Sequence, residues 1–293
     1  MRKRKKIVFI INPKAGRKKN QVLKKKIEKK LDTKKYKPEF LYTQYPGHAV
    51  VLVKEYFEKG VQIFIAVGGD GTVNEVASEV VKLKATLGIL PTGSGNGLAR
   101  FLNIPFKVQN VIEIINNGKV CEIDVGKIND DYFFCTCGIG FDAEVSYLFA
   151  KQKSRGFINY IKTSVKAYTK YKPAKIKLKI DGIKYKKKAF LITIANAGQY
   201  GNNAYIAPSA KIDDGKFDVC ILKPFPWYIS PILVIKLFLR IIDRSKQIET
   251  IKAKSIVFRN EKKKIFHIDG DPRKIKGKVK LDIMPKSLKV LVK

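Results

Sequence analysis

The sequence predicts an α/β domain followed by a β-rich domain, and three observations support this fold class. Up to about residue 120, short apolar runs alternate with segments of helical periodicity, which is typical of a parallel sheet with helices on both faces. Glycine-rich turns directly follow three of the apolar runs. Beyond residue 120, strand-like runs dominate. We therefore predict an N-terminal Rossmann-like α/β domain, a β-sandwich-like second domain and an active-site cleft between them.

The first domain is predicted over residues 1–122, and residues 286–293 could complete it. Its strands are predicted from apolar runs at residues 7–11, 38–43, 63–67 and 86–90. Its helices are predicted from apolar faces at helical spacing, which are Leu23, Ile27 and Leu31, then Val50, Val53 and Phe57, and a segment over residues 73–81.

The second domain is predicted over residues 123–285. The strand-like runs beyond residue 120 are residues 132–137, 175–180, 185–195, 217–222, 251–258, 264–268, 279–283 and 288–292. Asp181-Gly182 is a turn signal between two of them. Two helices interrupt this series. One has an apolar face of Phe157, Ile161, Val165 and Tyr168, and the other covers residues 230–244 with Ser230 as N-cap and Pro231 in the first turn.

The most informative motif is Val-Gly-Gly-Asp-Gly-Thr-Val-Asn-Glu at residues 67–75, between a predicted buried strand and a predicted helix. Its three glycines let the backbone pass close to a bulky anion without Cβ clashes. The helix start offers unpaired N–H groups and a partial positive charge. Asp70 adds one carboxylate, which a metal ion or a proton in transit could use. Together these features indicate a nucleoside-triphosphate site.

Two further loops support this interpretation. Pro-Thr-Gly-Ser-Gly-Asn-Gly at residues 91–97 follows the next strand, and Asn-Pro-Lys-Ala-Gly at residues 12–16 leaves the first one. Loops at consecutive strand ends could face one crevice of an α/β sheet. The alternative is that each loop is only a tight turn, but this explanation is weak for three such loops together.

The charge is strongly basic, with 60 Lys and Arg against 25 Asp and Glu and a formal net charge of +35. Such a balance indicates a polyanionic partner, an anionic membrane surface or a lysine-rich composition. The four cysteines, Cys121, Cys135, Cys137 and Cys220, form no C-x-x-C pair, so we expect reduced core thiols and a cytoplasmic protein. No signal peptide and no apolar window of about 20 residues is evident.

The segment over residues 230–244 is unusually apolar, with a thin polar stripe of Lys236, Arg240 and Arg244. Trp227 and Tyr228 precede it. It could be a helix buried against the sandwich, or a helix that touches a membrane with its cations at the head-group level. Both could hold at once if one face packs and the other meets lipid.

The motifs, in this order, resemble those of the diacylglycerol kinase catalytic superfamily, which includes bacterial lipid kinases and sphingosine kinases. The resemblance covers essentially the full length. It is carried by Asn12-Pro13 with Gly16, Thr43, Gly47-His48-Ala49, residues 68–74, Gly93-Ser94-Gly95-Asn96, Asp124, residues 138–142, Asp214-Gly215 and Asp269-Gly270-Asp271. The resemblance implies ATP-dependent phosphorylation of a lipid hydroxyl, such as that of diacylglycerol, with Mg²⁺.

The resemblance also implies site residues. Contacts to ATP are expected from Asn12, Pro13, Lys14, Ala15, Gly16, Thr43, Gly68, Gly69, Asp70, Gly71, Thr72, Val73, Asn74, Glu75, Gly93, Ser94, Gly95 and Asn96. A structural Mg²⁺ is implied at the Asp214 carboxylate with the backbone of Lys211 and Lys216, and Asp124 is a further candidate ligand.

The general base that accepts the proton of the lipid hydroxyl is expected to be a carboxylate. The candidates are Asp271 and Asp269, with Asp70 as the alternative, and the sequence does not choose among them. If the chain is extended at Asp269 and Asp271, both side chains face one side. Two departures from the family stand out: Gly97 replaces an aspartate, in a pattern closer to sphingosine kinases, and Asp271 replaces a glutamate.

Several alternatives stay open at this point. A sphingoid-base or ceramide-type kinase is one, and an NAD kinase shares Gly-Gly-Asp-Gly-Thr but does not account for the Asn-Pro opening. A nucleic-acid-binding protein would use the positive charge but would leave the glycine loops without a purpose, so we expect no nucleic acid. We expect a cytoplasmic enzyme that associates peripherally with the anionic inner face of the membrane, and the sequence leaves a homodimer open.

Overall fold

The computed structural model describes residues 4–15, 20–152, 157–260 and 265–293. The chain divides into two compact units. The first comprises Met1–Ile123 together with Lys286–Lys293, and the second comprises Asp124–Pro285.

The helices and strands follow one another as β1 (Lys5–Ile11), α1 (Asn20–Lys30), β2 (Tyr36–Tyr42), α2 (His48–Glu58), β3 (Ile63–Gly68), α3 (Asp70–Leu83), β4 (Thr86–Pro91), α4 (Gly97–Phe101), α5 (Val108–Asn117), β5 (Lys119–Ile128), β6 (Asp131–Phe133), β7 (Thr136–Gly140), α6 (Phe141–Ala150), α7 (Phe157–Tyr168), β8 (Ala174–Ile180), β9 (Ile183–Ala189), β10 (Leu191–Ala195), β11 (Phe217–Leu222), α8 (Ser230–Phe238), β12 (Ile248–Ala253), β13 (Ser255–Asn260), β14 (Ile265–Ile268), β15 (Asp271–Lys274) and β16 (Gly277–Val292). Short 3₁₀ turns cover Trp227–Ile229 and Ile242–Arg244.

The first unit is built on a parallel sheet with the strand order β2-β1-β3-β4, and residues 289–290 of β16 pair in parallel with β4. Parallel strands are buried on both faces, and residues 7–11 of β1 are accordingly all apolar and buried. The helix α3 buries Val73, Val76, Ala77 and Val80, which recur at i, i+3, i+4 and i+7. The predicted parallel α/β domain is confirmed.

The second unit contains two antiparallel sets of strands. One has the order β16-β13-β8-β9, and the other has the order β12-β11-β10-β7-β14-β15. Their inner faces share one hydrophobic core, to which the first set contributes Ile176, Leu178 and Phe258 and the second contributes Ile192, Phe217 and Phe266. Two sheets around one apolar layer form a sandwich, so the predicted architecture is confirmed.

Several predicted strands are divided in the structure. The run 185–195 forms β9 and β10, and the run 251–258 forms β12 and β13. At each division the chain leaves one sheet of the sandwich and enters the other. The apolar pattern continues across these points because both sheets face the same core, so the pattern alone cannot reveal the crossing. Conversely, the runs 279–283 and 288–292 belong to the single strand β16.

Both predicted helices of the second unit differ in detail. Ile161 and Val165, on the predicted apolar face of α7, are exposed. The helix predicted over residues 230–244 ends at Phe238, because Arg240 takes a φ of 59° that an α-helix does not accept. Ser230 is the first helical residue rather than the N-cap, and its hydroxyl donates to the Trp227 carbonyl.

The four cysteines, all within the described residues, form no disulfide bond, and Cys135, Cys137 and Cys220 are buried. Burial raises the pKa of Cys220 to about 12 and that of Cys137 well above its usual value, so both remain protonated. The prediction of core thiols is confirmed for these three, whereas Cys121 is half-buried. Among the described residues, no helix combines the length and the apolar character that crossing a bilayer requires.

Candidate active site

The loops predicted from the sequence meet at one edge of the parallel sheet. The strands β1, β3 and β4 are neighbours, so their carboxyl ends and the loops that follow them lie side by side. Asn12, after β1, donates from Nδ2 to the Thr72 hydroxyl at 3.1 Å. Glu75 of α3 accepts the backbone N–H of Gly47 at 2.9 Å. The structure therefore brings the loops after β1, β2 and β3 into one hydrogen-bonded group.

Asp70 connects the two glycine loops. Its Oδ2 accepts the backbone N–H of Asn96 at 2.8 Å, and its Oδ1 accepts the backbone N–H of Gly97 at 2.7 Å. These amides begin α4, where the first N–H groups have no partner within the helix. Both carboxylate oxygens of Asp70 thus support the loop after β4. This arrangement favours a structural role for Asp70 over the general base that the sequence allowed.

The glycines of the two loops allow their backbones to touch. A Cβ atom on Gly93 would lie 2.5 Å from the Cα atom of Gly69, which is closer than real Cβ atoms approach. A Cβ atom on Gly95 would collide with the Asp70 carboxylate. By contrast, a Cβ atom on Gly69 would meet its nearest neighbour, the Gly93 Cα atom, at 3.4 Å. Loop contact therefore explains Gly93 and Gly95, and it leaves Gly69 available for a close approach to a ligand.

Donors and acceptors for a ligand lie at the same edge. The first N–H groups of α3, including those of Gly71 and Thr72, have no acceptor within the helix, and the helix dipole adds partial positive charge there. The buried Thr92 Oγ1 and Asn96 Oδ1 atoms have no hydrogen-bond partner among the described residues. Buried polar atoms are normally paired, so these atoms suit a ligand. Thr92 is a candidate that the sequence pattern did not single out.

The remaining predicted nucleotide contacts are placed as follows. Pro13, Lys14 and Ser94 are exposed, and Thr43 and Ala15 are half-buried. Val73 is buried in the core face of α3, so only its backbone could reach a ligand at the strand edge. The side chain of Asn74 accepts a hydrogen bond from the Ser78 hydroxyl. Gly16 lies outside the described residues.

The two other candidate bases, Asp269 and Asp271, lie at the turn between β14 and β15 and differ in their surroundings. Asp269 takes a φ of 48° in the turn between β14 and β15, so the chain is not extended there and Asp269 and Asp271 do not share one side as the extended geometry predicted. The Asp269 carboxylate accepts the backbone N–H groups of Phe134, Cys135 and Thr136 at 2.8 to 3.1 Å. Asp269 therefore anchors the segment before β7, whereas Asp271 is exposed at the start of β15.

A buried polar network lies beside this hairpin. The Oδ2 atom of Asp142, in the first turn of α6, accepts the Thr193 hydroxyl at 2.7 Å and the Tyr200 hydroxyl at 3.3 Å. His267 Nε2 lies 3.1 Å from the same oxygen. Burial, reinforced by the Asp142 charge, raises the pKa of Tyr200 well above its usual value, so this hydroxyl stays protonated and donates. A Cβ atom on Gly138 would lie 2.6 Å from both Asp142 and His267, which explains a glycine there.

The predicted metal ligand Asp214 is paired with a lysine. Its Oδ2 lies 2.9 Å from Lys252 Nζ, and its Oδ1 accepts the backbone N–H of Lys216 at 3.0 Å. Burial lowers the pKa of Lys252, but the hydrogen bonds and charges of Asp218 and Asp214 outweigh it and raise the pKa overall. Asp124, the other predicted ligand, is buried and accepts the backbone N–H of Gly215. In this structure the carboxylates of Asp214 and Asp124 are therefore engaged by an ammonium group and by backbone N–H groups.

Over the part of the chain that the structure describes, no group of three or more His, Cys, Asp or Glu side chains could hold a metal ion.

An exposed apolar surface lies around α8. Trp227 is 74 % exposed and Leu239 is 62 % exposed, and Leu233 is the buried contact of the helix with the unit. The exposed apolar side chains of this surface are Trp227, Tyr228, Ile232, Val234, Ile235, Phe238 and Leu239. On another helix, α7, the side chains of Ile158, Ile161 and Val165 are also exposed, at i, i+3 and i+7. Patches of this kind mark interaction surfaces, and the helix is not fully buried against the sandwich.

Comparison with known proteins identifies the family. Residues 6–128 match the diacylglycerol kinase catalytic domain, and residues 135–292 match the YegS C-terminal NAD kinase beta sandwich-like domain. The chain therefore belongs to the family of diacylglycerol kinases and YegS-like lipid kinases. It is a phosphotransferase with an alcohol acceptor.

Individual relatives support this placement. The chain is 30 % identical to a diacylglycerol kinase of Bacillus subtilis (strain 168) over 73 % of either chain. It is 29 % identical to a probable lipid kinase YegS-like of Chromohalobacter salexigens over 77 % of this chain and 75 % of that one. A crystal structure from Bacillus anthracis str. Sterne, provisionally described as a diacylglycerol kinase, matches with a TM-score of 0.79 and 26 % identity over 99 % of this chain and 98 % of that one.

The two glycines that face each other make a matched pair for testing loop contact. We expect Gly93→Ala to lower the free energy of unfolding by about 1–3 kcal/mol, because the new Cβ atom forces the loops apart. Gly69→Ala should change it by less than about 1 kcal/mol, since its Cβ atom meets only ordinary contact. Urea unfolding monitored by circular dichroism measures both values. Equal losses in the two variants would contradict the loop contact.

Proposed function

We propose that the enzyme transfers the γ-phosphoryl group of MgATP to a hydroxyl group of a lipid such as diacylglycerol. The observation that carries the nucleotide part is the group of donors and acceptors at the edge of the parallel sheet, which includes two buried side-chain atoms without a described partner, the Thr92 hydroxyl and the acceptor Asn96 Oδ1. The family supplies the reaction class. The exposed apolar surface around α8 supports a lipid as the acceptor.

The nucleotide would lie on the glycine loops. The N–H groups at the start of α3 and the Thr92 hydroxyl would donate to phosphate oxygens, and Gly69 gives the phosphate chain room to approach the backbone. Mg²⁺ would enter as part of the nucleotide substrate, and it would supply neutralisation of the phosphate charge. Asn96 Oδ1, an acceptor only, suits a water of the hydrated cation or a nucleotide hydroxyl.

Thr92 offers a test of this placement. Thr92→Val keeps the shape of the side chain and removes a buried hydroxyl that has no described partner, so thermal stability should stay within a few degrees of wild type. The dissociation constant for MgATP should rise about 5–20-fold, because one hydrogen bond to a charged phosphate oxygen is lost. Isothermal titration calorimetry measures the constant.

Thr163→Val, in the second unit, is the control for the loss of a buried hydroxyl. It should leave nucleotide affinity unchanged. An unchanged affinity in Thr92→Val would remove Thr92 from the nucleotide site.

We propose Asp271 as the general base for the lipid hydroxyl. Asp70 and Asp269 each accept two or three backbone N–H groups, which occupies their oxygens and suits an ionised structural role. Asp271 is exposed, so a substrate hydroxyl can reach it. In phosphoryl transfer such a carboxylate accepts the hydroxyl proton while the rest of the site positions and neutralises the phosphates.

The two acidic residues of the turn provide a matched pair of variants. Asp271→Asn should lower kcat about 10²–10⁴-fold and leave the melting temperature nearly unchanged, because a general base contributes a factor of this size. Asp269→Asn should lower the melting temperature by several degrees, because an amide cannot accept three N–H bonds as a carboxylate does. A radiometric lipid-kinase assay and differential scanning fluorimetry separate the effects. Full turnover in Asp271→Asn would refute its assignment as the base.

We further propose that α8 and the preceding turn dock peripherally on anionic membranes at the cytoplasmic face. Exposed aromatic and branched side chains on a segment that also carries Lys236, Arg240 and Arg244 suit the interface, and the net charge of +35 favours anionic lipid. Trp227 is the single tryptophan and is exposed, so its fluorescence reports docking directly.

Membrane docking makes a salt-dependent prediction. Anionic vesicles should shift Trp227 emission to the blue at low salt, and the shift should weaken at about 0.5 M salt because the charges are screened. Ile235→Asp should weaken vesicle binding at least about 5-fold, because it places a charge in the buried interface. Val51→Asp, at an exposed apolar position of α2, is the control and should bind normally. Equal binding to neutral and anionic vesicles would argue against the charge component.

The acceptor lipid has a second candidate. Gly97 completes a Gly-Ser-Gly-Asn-Gly pattern closer to sphingosine kinases, and its N–H holds Asp70. A panel of diacylglycerol, sphingoid base, ceramide, undecaprenol and NAD with labelled ATP decides the matter. Turnover with diacylglycerol above the others supports the main proposal, and preferential turnover of a sphingoid base would replace it.

A further inference from the structure

We infer that the Lys252 ammonium group supplies the positive charge at the Asp214 turn, so that the second unit needs no divalent cation there. Lys252 Nζ lies 2.9 Å from Asp214 Oδ2 and 2.9 Å from Asp218 Oδ2. One ammonium group thus bridges two carboxylates. These are the two acids that a bound cation at this turn would otherwise have to neutralise.

The backbone fixes Lys252 at this position. Lys252 on β12 is the direct cross-strand partner of Asp218 on β11 in the antiparallel register. Opposite residues in such a pair have closely spaced Cβ atoms, so the register places the ammonium group beside the acid. The Asp218 side chain is only 4 % exposed, and a buried carboxylate without a partner is unfavourable. The ammonium group of Lys252 is therefore needed to neutralise the buried Asp218 carboxylate, and the pair is more than a chance contact at the surface.

The turn itself is closed by hydrogen bonds within the protein. Asp214 Oδ1 accepts the Lys216 N–H, and Asp124 accepts the Gly215 N–H at 2.6 Å. Gly215 takes a φ of 69°, which allows this tight geometry. A Mg²⁺ ion binds carboxylate oxygen at about 2.1 Å. Asp214 Oδ2 already contacts the ammonium group and Oδ1 already accepts the Lys216 N–H, so an ion on either oxygen would lie close to the ammonium group. Like charges at that separation repel, so the ion and the ammonium group exclude each other.

The test compares variants by thermal unfolding in the absence of nucleotide. Wild-type protein should show the same melting temperature with EDTA and with millimolar Mg²⁺ or Ca²⁺. Lys252→Gln should melt about 2–4 °C lower in EDTA, because the buried Asp218 loses its partner. Millimolar Mg²⁺ or Ca²⁺ should then restore at least half of that loss, since the vacated space between two carboxylates accepts a cation.

Lys187→Gln is the matched control. Lys187 Nζ contacts both oxygens of Glu249 at 2.8 Å, and the exposure of the Lys187 side chain is similar to that of Lys252. Lys187 differs in that it pairs with a single carboxylate. This variant should show no recovery with either cation. The control separates a specific response at the Asp214 turn from a general effect of divalent ions on a basic protein.

Two results would overturn the inference. One is a wild-type melting temperature that falls in EDTA and recovers with Mg²⁺. The other is a Lys252→Gln variant that gains no more from cations than Lys187→Gln. If Lys252→Gln does not fold, the wild-type measurement in EDTA decides alone. Because no nucleotide or lipid is present, the outcome is independent of the proposed kinase reaction.

Discussion

The hydrogen bonds between the Asp70 carboxylate and the loop after β4 are the constraint on which the candidate nucleotide site depends. Two backbone amides from Asn96 and Gly97 point at one side chain that lies more than twenty residues earlier. In the same loop the Gly93 backbone lies against Gly69, and the Asn96 Oδ1 and Thr92 Oγ1 atoms are buried. A site of backbone amides has little adaptability, so its geometry must be built before the ligand arrives. The Asp70 carboxylate fixes this geometry through its hydrogen bonds to the loop after β4.

The sequence predicted the location of this site but not the function of its acids. Glycine loops at strand ends are visible because glycine has a distinct conformational range and the strand pattern is local. The partners of Asp70 and Asp269 lie 26 and more than 130 positions away, and the pattern around each acid carries no sign of them. Both acids were therefore expected in chemical roles, whereas the structure shows carboxylates that organise backbone amides. Thr92 was missed because a threonine before a glycine loop is unremarkable in sequence.

Much of the fold could be predicted because strand positions also follow from a local pattern. The errors in the prediction have a physical cause. The parallel strands β1, β3 and β4 contain continuous buried runs, and β8 of the sandwich alternates between buried and exposed residues, so the positions of these strands follow from the pattern. The pattern does not say which sheet a strand joins. In the sandwich, β9 and β10 are separated only by Phe190, yet they belong to opposite sheets, and the buried Phe190 keeps the apolar pattern unbroken. Likewise, the apolar segment after Trp227 has the composition of a core helix, and its exposure becomes visible only in the three-dimensional structure.

The two units stabilise negative charge by different means: the first would bind phosphate with backbone amides and a hydroxyl, and the second neutralises carboxylates with a lysine. The lysine-rich composition explains how the second means is possible. In the first unit, the donors at the candidate phosphate site are backbone amides and a hydroxyl, so the site does not depend on the abundance of lysine. In the second unit, a buried acid is neutralised by a lysine that the strand register places opposite it. In a chain with 60 basic residues, an ammonium group can be supplied at such a position without any dependence on the concentration of a free ion. A covalently attached cation is always present, whereas a bound metal is lost when its concentration falls below its dissociation constant. The excess of lysine therefore has a structural use in the second unit that is separate from attraction to anionic lipid.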